Sequence, residues 1–282
     1  MSEIKSILVT GGNAGIGRAL CKLLASEHGC RVFMGSRSVD KGQAAVASIC
    51  EEAPACAGKI DVVQLDTQND ASVVEAAKSV KASLGSQSLY AVVNNAGAGL
   101  AHGVSGEVIV DTNLYGPKRV CDSFVPLLSP TEGRIVNVGS GIGPGWMSRA
   151  SPEVKATLCD PQVKWEAVEK VAQTSLKETQ GDSRNAYGVS KATLMAFTSI
   201  LVREHPSITT STISPGFIDT AMTQGFGARL TPEQGTVSIR HCLFAKLAGN
   251  GWMYGSDAKR SPIDASREPG EPEYTDPTGR GF

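Results

Sequence analysis

Aromatic residues make up only 5% of this 282-residue chain, and neither sign of charge is in excess: 27 lysines and arginines stand against 28 aspartates and glutamates, a formal net charge of −1. A chain so balanced lacks the positive field that nucleic acid or an anionic membrane surface would need, so neither partner is expected and any phosphate recognition must be local. The four histidines, His28, His102, His205 and His241, form no HExxH or other ligand spacing, and no metal site is expected. The seven cysteines are odd in number, scattered and without a CxxC pair, the pattern of reduced thiols. No apolar run has the length to span a bilayer, and the first apolar stretch begins within four residues of the start, leaving no room for a signal peptide. These absences together give a soluble, cytoplasmic expectation.

With 41% hydrophobic and 20% charged residues, the chain can bury one large α/β core. Short β-branched runs recur at 4–10, 31–35, 60–65, 89–95, 134–140 and 208–214, and helical patterns such as 16–27, 40–51 and 70–84 separate them. Such alternation predicts a single doubly wound parallel sheet with helices on both faces, a Rossmann-type fold. Two stretches break the rhythm. Between Ser140 and Asn185 no strand is signalled. Instead 164–178 places Trp165, Val168, Val171, Ala172, Ser175 and Leu176 on one helical face, with a shorter helix near 152–159, so 141–185 reads as a helical insertion. Residues 256–282 carry four prolines and many charges with little to bury. The expected division is therefore a domain over 1–255 and a C-terminal tail over 256–282, extended or disordered.

The turn "VTGGNAGIG" (9–17) joins the first strand to the first helix through Gly11, Gly12, Asn13, Gly15, Ile16 and Gly17. Glycines there let backbone amides approach a pyrophosphate, which the positive end of the following helix stabilises. The spacing, G-x-x-x-G-x-G, differs from the G-x-G-x-x-G fingerprint. The second strand ends in Ser36 and Arg37, where a carboxylate would select a ribose 2′-hydroxyl. Arg37, with Lys41 four residues on, is suited to a 2′-phosphate instead, provided Asp40 does not capture it. At later strand ends, Asp66 and Thr67 in "LDT" suit an adenine, and Asn94, Ala96 and Gly97 in "NNAG" offer small residues to a ribose.

"AYGVSK" (186–191) sets Tyr187 and Lys191 four positions apart on one helix face, a spacing that any amphipathic helix also shows. Taken in order, "TGGNAGIG", "NNAG", Asn113 in "DTNLYG", Ser140 in "IVNVGS", "YGVSK" and "SPGFIDT" resemble the short-chain dehydrogenase/reductase family over about residues 4–254. The "SR" followed by "KGQAAV" and the long insertion before the tyrosine make the NADPH-dependent carbonyl reductases the most similar group. Gly139, where the family commonly has serine, is a departure. The resemblance implies NADP(H) as cofactor. It makes Tyr187 the acid that protonates a nascent alkoxide, and Lys191 the cation that lowers the phenol's pKa and holds the nicotinamide ribose. It also makes Ser140 a donor to the developing oxyanion, Asn113 the holder of a water leading from Lys191 to solvent, and Pro215, Gly216, Ile218 and Thr220 contacts to the nicotinamide and diphosphate.

Ile142, Trp146, Met147, Phe217, Met222, Phe226 and Trp252 are expected to rim an apolar substrate pocket without a cation for a carboxylate. Together these readings predict NADPH-dependent reduction of a lipophilic ketone, aldehyde or quinone. The alternatives are a dedicated reductase or dehydrogenase of one terpenoid, alkaloid or steroid ketone, and a protein that senses NADPH without turnover. Because family members usually associate through the tyrosine helix, a 164–178 helix lying across that face would leave a monomer.

Overall fold

A computed structural model describes residues 4–99, 101 and 103–276; His102 and the last six residues of the expected tail lie outside them. Its strands are β1 (Ser6–Val9), β2 (Arg31–Ser36), β3 (Ile60–Gln64), β4 (Ala91–Asn94), β5 (Arg134–Val138), β6 (Thr209–Ile213), β7 (Met253–Tyr254) and β8 (Arg260–Ser261). The helices are α1 (Gly15–Ser26), α2 (Val39–Glu52), α3 (Asp70–Leu84), α4 (Gly106–Val110), α5 (Gly116–Phe124), α6 (Ile142–Met147), α7 (Pro152–Leu158), α8 (Trp165–Glu178), α9 (Ser183–Glu204) and α10 (Val237–Phe244). The strands form one sheet in the order β3-β2-β1-β4-β5-β6-β7-β8. All neighbours are parallel except the last pair. The doubly wound expectation is therefore met, and the order reverses between β1 and β4, where open α/β sheets bind ligands beyond the strands' carboxyl ends.

The two faces of the sheet explain the apolar β1. Ile7 and Val9 point into a core shared with Leu20, Leu24, Ile49 and Ile239 of α1, α2 and α10. Leu8 points into the opposite core, with Val73, Val120 and Leu194 of α3, α5 and α9. Every residue of the strand is buried, so period-2 alternation is lost. Full burial of each such aliphatic side chain contributes on the order of 1.5–3 kcal/mol. Helix starts follow local chemistry: the side chains of Ser38, Asn69, Ser105, Ser151 and Asp182 each accept a backbone N–H in the first turn that follows them. Helix α1 has no side-chain cap and no carboxylate in its first turn.

The insertion folds as α6, α7 and α8. Helix α8 lies along α9: Val168, Ala172 and Ser175 are buried, and Trp165 meets Phe197 and Tyr115 edge-on with centroids 5.6 and 5.8 Å apart. Helix α9 is thus covered by the sheet on one side and by α6 and α8 on the other, and its stretch from Gly188 to Leu201 is buried throughout.

The break in composition at 256 does not end the sheet. Arg260 and Ser261 pair antiparallel with Tyr254 and Met253, and Ile263 packs against the larger core. The few apolar groups of this segment are supplemented by an ion pair: Arg267, its side chain only 5% exposed, forks onto Asp257 through Nη2–Oδ1 at 2.5 Å and Nη1–Oδ2 at 3.0 Å. Farther on, Tyr274 stands edge-on to Trp252. Described tail residues are therefore pinned to the sheet edge by pairing and charge, which hydrophobicity alone did not signal.

Candidate active site

A cleft of about 850 Å³ opens beyond the carboxyl ends of β1, β2, β4 and β5. Gly11, Asn13, Gly15 and Ile16 of the glycine turn line it, with Ser36, Arg37, Lys41, Asp66 and Thr67 at one end, Ala96 and Gly97 between, and Tyr187, Lys191, Pro215, Thr220 and Met222 at the other. The chain thus gathers most of the residues singled out from motifs that are far apart in sequence. Gly11 sits at φ +63°, a conformation L side chains rarely adopt. A Cβ on Gly17 would lie 2.4 Å from the Gly11 carbonyl oxygen, so this glycine serves close packing behind the loop. Gly12 is likewise buried against Met34 and Cys21 and does not line the cleft.

Arg37 is exposed at the cleft's edge, and among the described residues neither it nor Lys41 has an ion pair. Asp40 therefore does not capture Arg37. The Asp66 carboxylate accepts the Gln68 amide in a tight turn, at 3.1 Å.

At the other end, Asp182 caps α9 and places Tyr187 in its second turn. Lys191, 5% exposed, donates from Nζ to the Val138 carbonyl at 2.8 Å, and that nitrogen lies 5.8 Å from the centre of the Tyr187 ring. Burial holds the Lys191 ammonium down to about 8. Burial also raises the Tyr187 phenol, and a hydrogen bond with Ser140 opposes that rise. The expected lowering by Lys191 is not expressed in this structure, because the ammonium is turned to the β5 carbonyl. Ser140 is held from several sides: its Oγ accepts the Ile142 amide at 3.2 Å, and the Gly141 amide donates to Ser214 Oγ at 3.0 Å. Gly139 has a steric reason, since a Cβ there would come within 2.7 Å of Thr212 and 2.9 Å of the Ile213 carbonyl.

Asn113 lies in a π-helical turn, Asp111–Tyr115, between α4 and α5. Its Nδ2 donates to the Ala98 carbonyl at 2.9 Å and to Ser190 Oγ at 3.1 Å, while Oδ1 accepts the Ala98 amide at 2.8 Å. Ser190 in turn donates to the Tyr187 carbonyl at 2.8 Å. The Asn113 side chain is thus a clamp between the β4 loop and α9.

The short chain dehydrogenase family profile matches residues 5–151. The chain belongs to the short-chain dehydrogenase/reductase family. It is 34% identical to a (+)-neomenthol dehydrogenase of Arabidopsis thaliana over 84% of this chain and 90% of that one. It is 29% identical to carbonyl reductase (NADPH) 1 of Homo sapiens over 83% and 88%. The solved structure of salutaridine reductase from Papaver somniferum superposes with a TM-score of 0.76 at 27% identity, covering 89% of this chain and 99% of that one. This family member is thus an oxidoreductase acting on small molecules, and none of its described helices is long and apolar enough to cross a membrane.

Several expected site residues of this oxidoreductase lie elsewhere. Asn94 is 3% exposed and its amide donates to Asn137 of the neighbouring strand and to Cys121 of α5; the neighbouring Asn95 lines the cleft instead. The one-residue difference is the strand's alternation of faces. Gly216 does not line the cleft, and the Ile218 side chain is buried beside Gly235. Met147 is fully buried under α9, and Trp252 belongs to the core of the opposite sheet face, so neither rims a pocket. Trp146 packs on Gly188 of α9 and donates to Asn185 at 2.8 Å. Ile142, Phe217 and Phe226 are exposed, at 53%, 50% and 49%, but only Met222 of the expected apolar set faces the cleft. The apolar lining missed from sequence includes Ala98, Val104, Val108, Val138 and Ala221. A spacing of four through Val104, Val108 and Thr112 was the available signal.

Proposed function

We propose that this oxidoreductase uses NADPH to reduce a lipophilic ketone, aldehyde or quinone to the alcohol. The observation that carries the reading is that Tyr187 and Lys191 line one end of a cleft that also holds the glycine turn and the uncapped start of α1, with Ser140, outside the lining, hydrogen-bonded to the phenol. The residues fit a dinucleotide: the first turn of α1 offers its positive end, Gly11 holds positive φ, and a Cβ at Gly97 would press on Asn113 Oδ1 at 3.3 Å. Arg37 and Lys41 would hold a 2′-phosphate, Asp66 the adenine, and Lys191 the nicotinamide ribose. Bound reduced nicotinamide would supply the hydride. Tyr187 gives its proton to the carbonyl oxygen as charge develops there, Ser140 donates a hydrogen bond to the same oxygen, and the phenolate left behind is stabilised by the Lys191 ammonium once that turns from the Val138 carbonyl. Asn113 keeps α9 in register with the β4 loop.

Ala98, Val104, Val108, Ala221 and Met222 make the substrate end apolar, which supports a lipophilic substrate. A second reading, a dedicated enzyme for one terpenoid-like ketone, is favoured by the neomenthol dehydrogenase likeness. NADPH oxidation across aromatic ketones, quinones and cyclic terpenoid ketones separates the two: comparable kcat/KM over the panel supports the broad reductase, and a single dominant substrate supports the dedicated one. No oxidation with any of them, despite tight NADPH binding, would turn the reading toward a sensor. With α8 laid along α9, we further infer a monomer; light scattering that gives a dimer would refute it.

The expected organisation, a domain over 1–255 followed by a tail over 256–282, is carried into the same proposal, with the described part of the tail held against the sheet edge.

A further inference from the structure

Arg119, in α5, does not line the cleft, yet it joins two regions that do or that adjoin it. Its Nη1 donates to the Thr67 carbonyl at 3.2 Å, its Nε pairs with Asp70 at 2.7 Å, and its Nη2 pairs with Asp111 at 2.7 Å. Thr67 and its neighbours Asp66 and Gln68 line the end of the cleft beside β3. Asp111 is the first residue of the π-helical turn, and the guanidinium also lies 5.9 Å from the ring of Tyr115, its last residue. The other Asp111 oxygen accepts Gln68 Nε2 at 3.2 Å. Immediately after the turn, a Cβ on Gly116 would lie 3.2 Å from Thr67, so the two backbones are in direct apposition.

A π-helical turn is a costly local geometry that persists when its surroundings hold it, and such turns recur at functional sites. Here the surroundings are the 66–70 loop and Arg119. Within the turn sits Asn113, whose side chain clamps Ala98 and Ser190, and Ser190 bonds the Tyr187 carbonyl. A continuous set of polar contacts therefore runs from the loop to the helix turn of the phenol, with one guanidinium at its branching point.

We propose that Arg119 is a positioning residue that couples occupation of the adenosine end of the cleft to the alignment of the Asn113 turn and, through it, of Tyr187. The proposal rests on the cofactor reading given above. Coupling of this kind is reciprocal: a ligand that orders the 66–70 loop raises affinity at the nicotinamide end, and the reverse.

The cofactor supplied in two pieces tests it. Calorimetry measures the Kd of reduced nicotinamide mononucleotide with and without saturating adenosine 2′,5′-bisphosphate, and amide hydrogen exchange follows residues 111–115. For the wild-type chain the bisphosphate is expected to tighten the mononucleotide about fivefold or more and to slow exchange in the turn. In Arg119→Met the tightening falls below about twofold and protection stays confined to 66–70. Asp111→Asn, which keeps shape and loses the charge, behaves the same way, and Arg119→Lys, which keeps charge without the fork, lies between. With intact NADPH, Arg119→Met lowers kcat more than it raises the carbonyl substrate's KM. Equal tightening in wild type and in either neutralised variant overturns the coupling, as does a wild type in which the bisphosphate binds without tightening its counterpart. A wild type that fails to bind the bisphosphate at all overturns the cofactor reading itself, and the proposal with it.

Discussion

The end of the cleft beside β2 and β3 is lined by backbone, by small residues and by exposed cations, whereas the end beside β5 and α9 is built from ionisable groups taken out of water. Arg37 and Lys41 are exposed and, among the described residues, have no ion pair, while Lys191 is buried and held down to about 8 and the Tyr187 phenol is raised. The contrast follows from the tasks proposed for the two ends. Phosphate attracts cations that keep most of their hydration, but a proton donor and its cation must act in a dry site where a shifted pKa and a fixed dipole have effect. The cost of the dry end is borne by the rest of the fold.

The sharpest way to break the comparison is to remove the phenolic oxygen and leave everything else. Tyr187→Phe is expected to lower turnover by roughly 10²–10⁴ while NADPH binding, read by fluorescence titration, stays within about twofold. Turnover close to wild type would mean that the buried end does not perform the chemistry.

The buried cation gives the next largest effect, and in the opposite direction for stability. The fall of the Lys191 pKa from 10.5 to about 8 corresponds to roughly 3 kcal/mol against the folded state. The sign runs this way because the unfolded chain holds the proton more tightly: between about pH 8 and 10.5 it binds more protons than the native state, so unfolding free energy rises with pH across that window. Below about 8 both states are charged and the full penalty is present. Lys191→Met without cofactor is therefore expected to be more stable than wild type at pH 7, to lose the alkaline gain in stability, and to lose turnover. Urea unfolding at pH 7 and pH 9.5 measures all but the last; a less stable variant at pH 7 would show that the lysine's bond to Val138 outweighs its desolvation.

At the exposed end the effect is smaller and purely on binding. Arg37→Ala is expected to weaken NADPH roughly 10- to 100-fold and NADH less than about twofold, since only the former places a phosphate before the fork. Melting temperature should change little, because Arg37 is exposed. Equal losses for the two nucleotides would remove Arg37 as the discriminator.

How much of this was legible before folding differs between the two ends for the same physical reason. The phosphate turn and the cation after β2 are contiguous motifs, and the β-strand ends that place them follow from short apolar runs. The pairing of Tyr187 with Lys191 was visible as a spacing of four, but the meaning of that spacing depended on Ser140, 47 positions earlier by number, and on β5 lying beside α9. Asn94 was misplaced because a strand's last residues alternate between cleft and core, and the motif does not say which face comes last. Met147 and Trp252 were assigned to a rim because large apolar residues near a site are equally good at filling a core, and only tertiary packing separates the two. The π turn left no trace in composition, since its geometry is imposed by Arg119, Asp111 and the 66–70 loop rather than by propensity.

The smallest effect is expected where the Tyr187 end of the cleft meets the substrate. Met222 lies over the β4 loop: a Cβ on Gly99 would come within 2.6 Å of its Cγ and 3.7 Å of the Tyr187 ring. Its thioether chain is flexible enough to give way, so it shapes the pocket softly. Met222→Ala is expected to raise kcat/KM for a bulky cyclic ketone roughly three- to tenfold relative to a small aliphatic one, at or below the low end of what single apolar-pocket changes achieve. Steady-state rates on the paired substrates give that ratio directly. An unchanged ratio would place the substrate on the other side of Tyr187, toward the exposed Phe217 and Ile142, and the apolar wall made by Val104 and Val108 would then be packing for the cleft rather than a contact for the substrate.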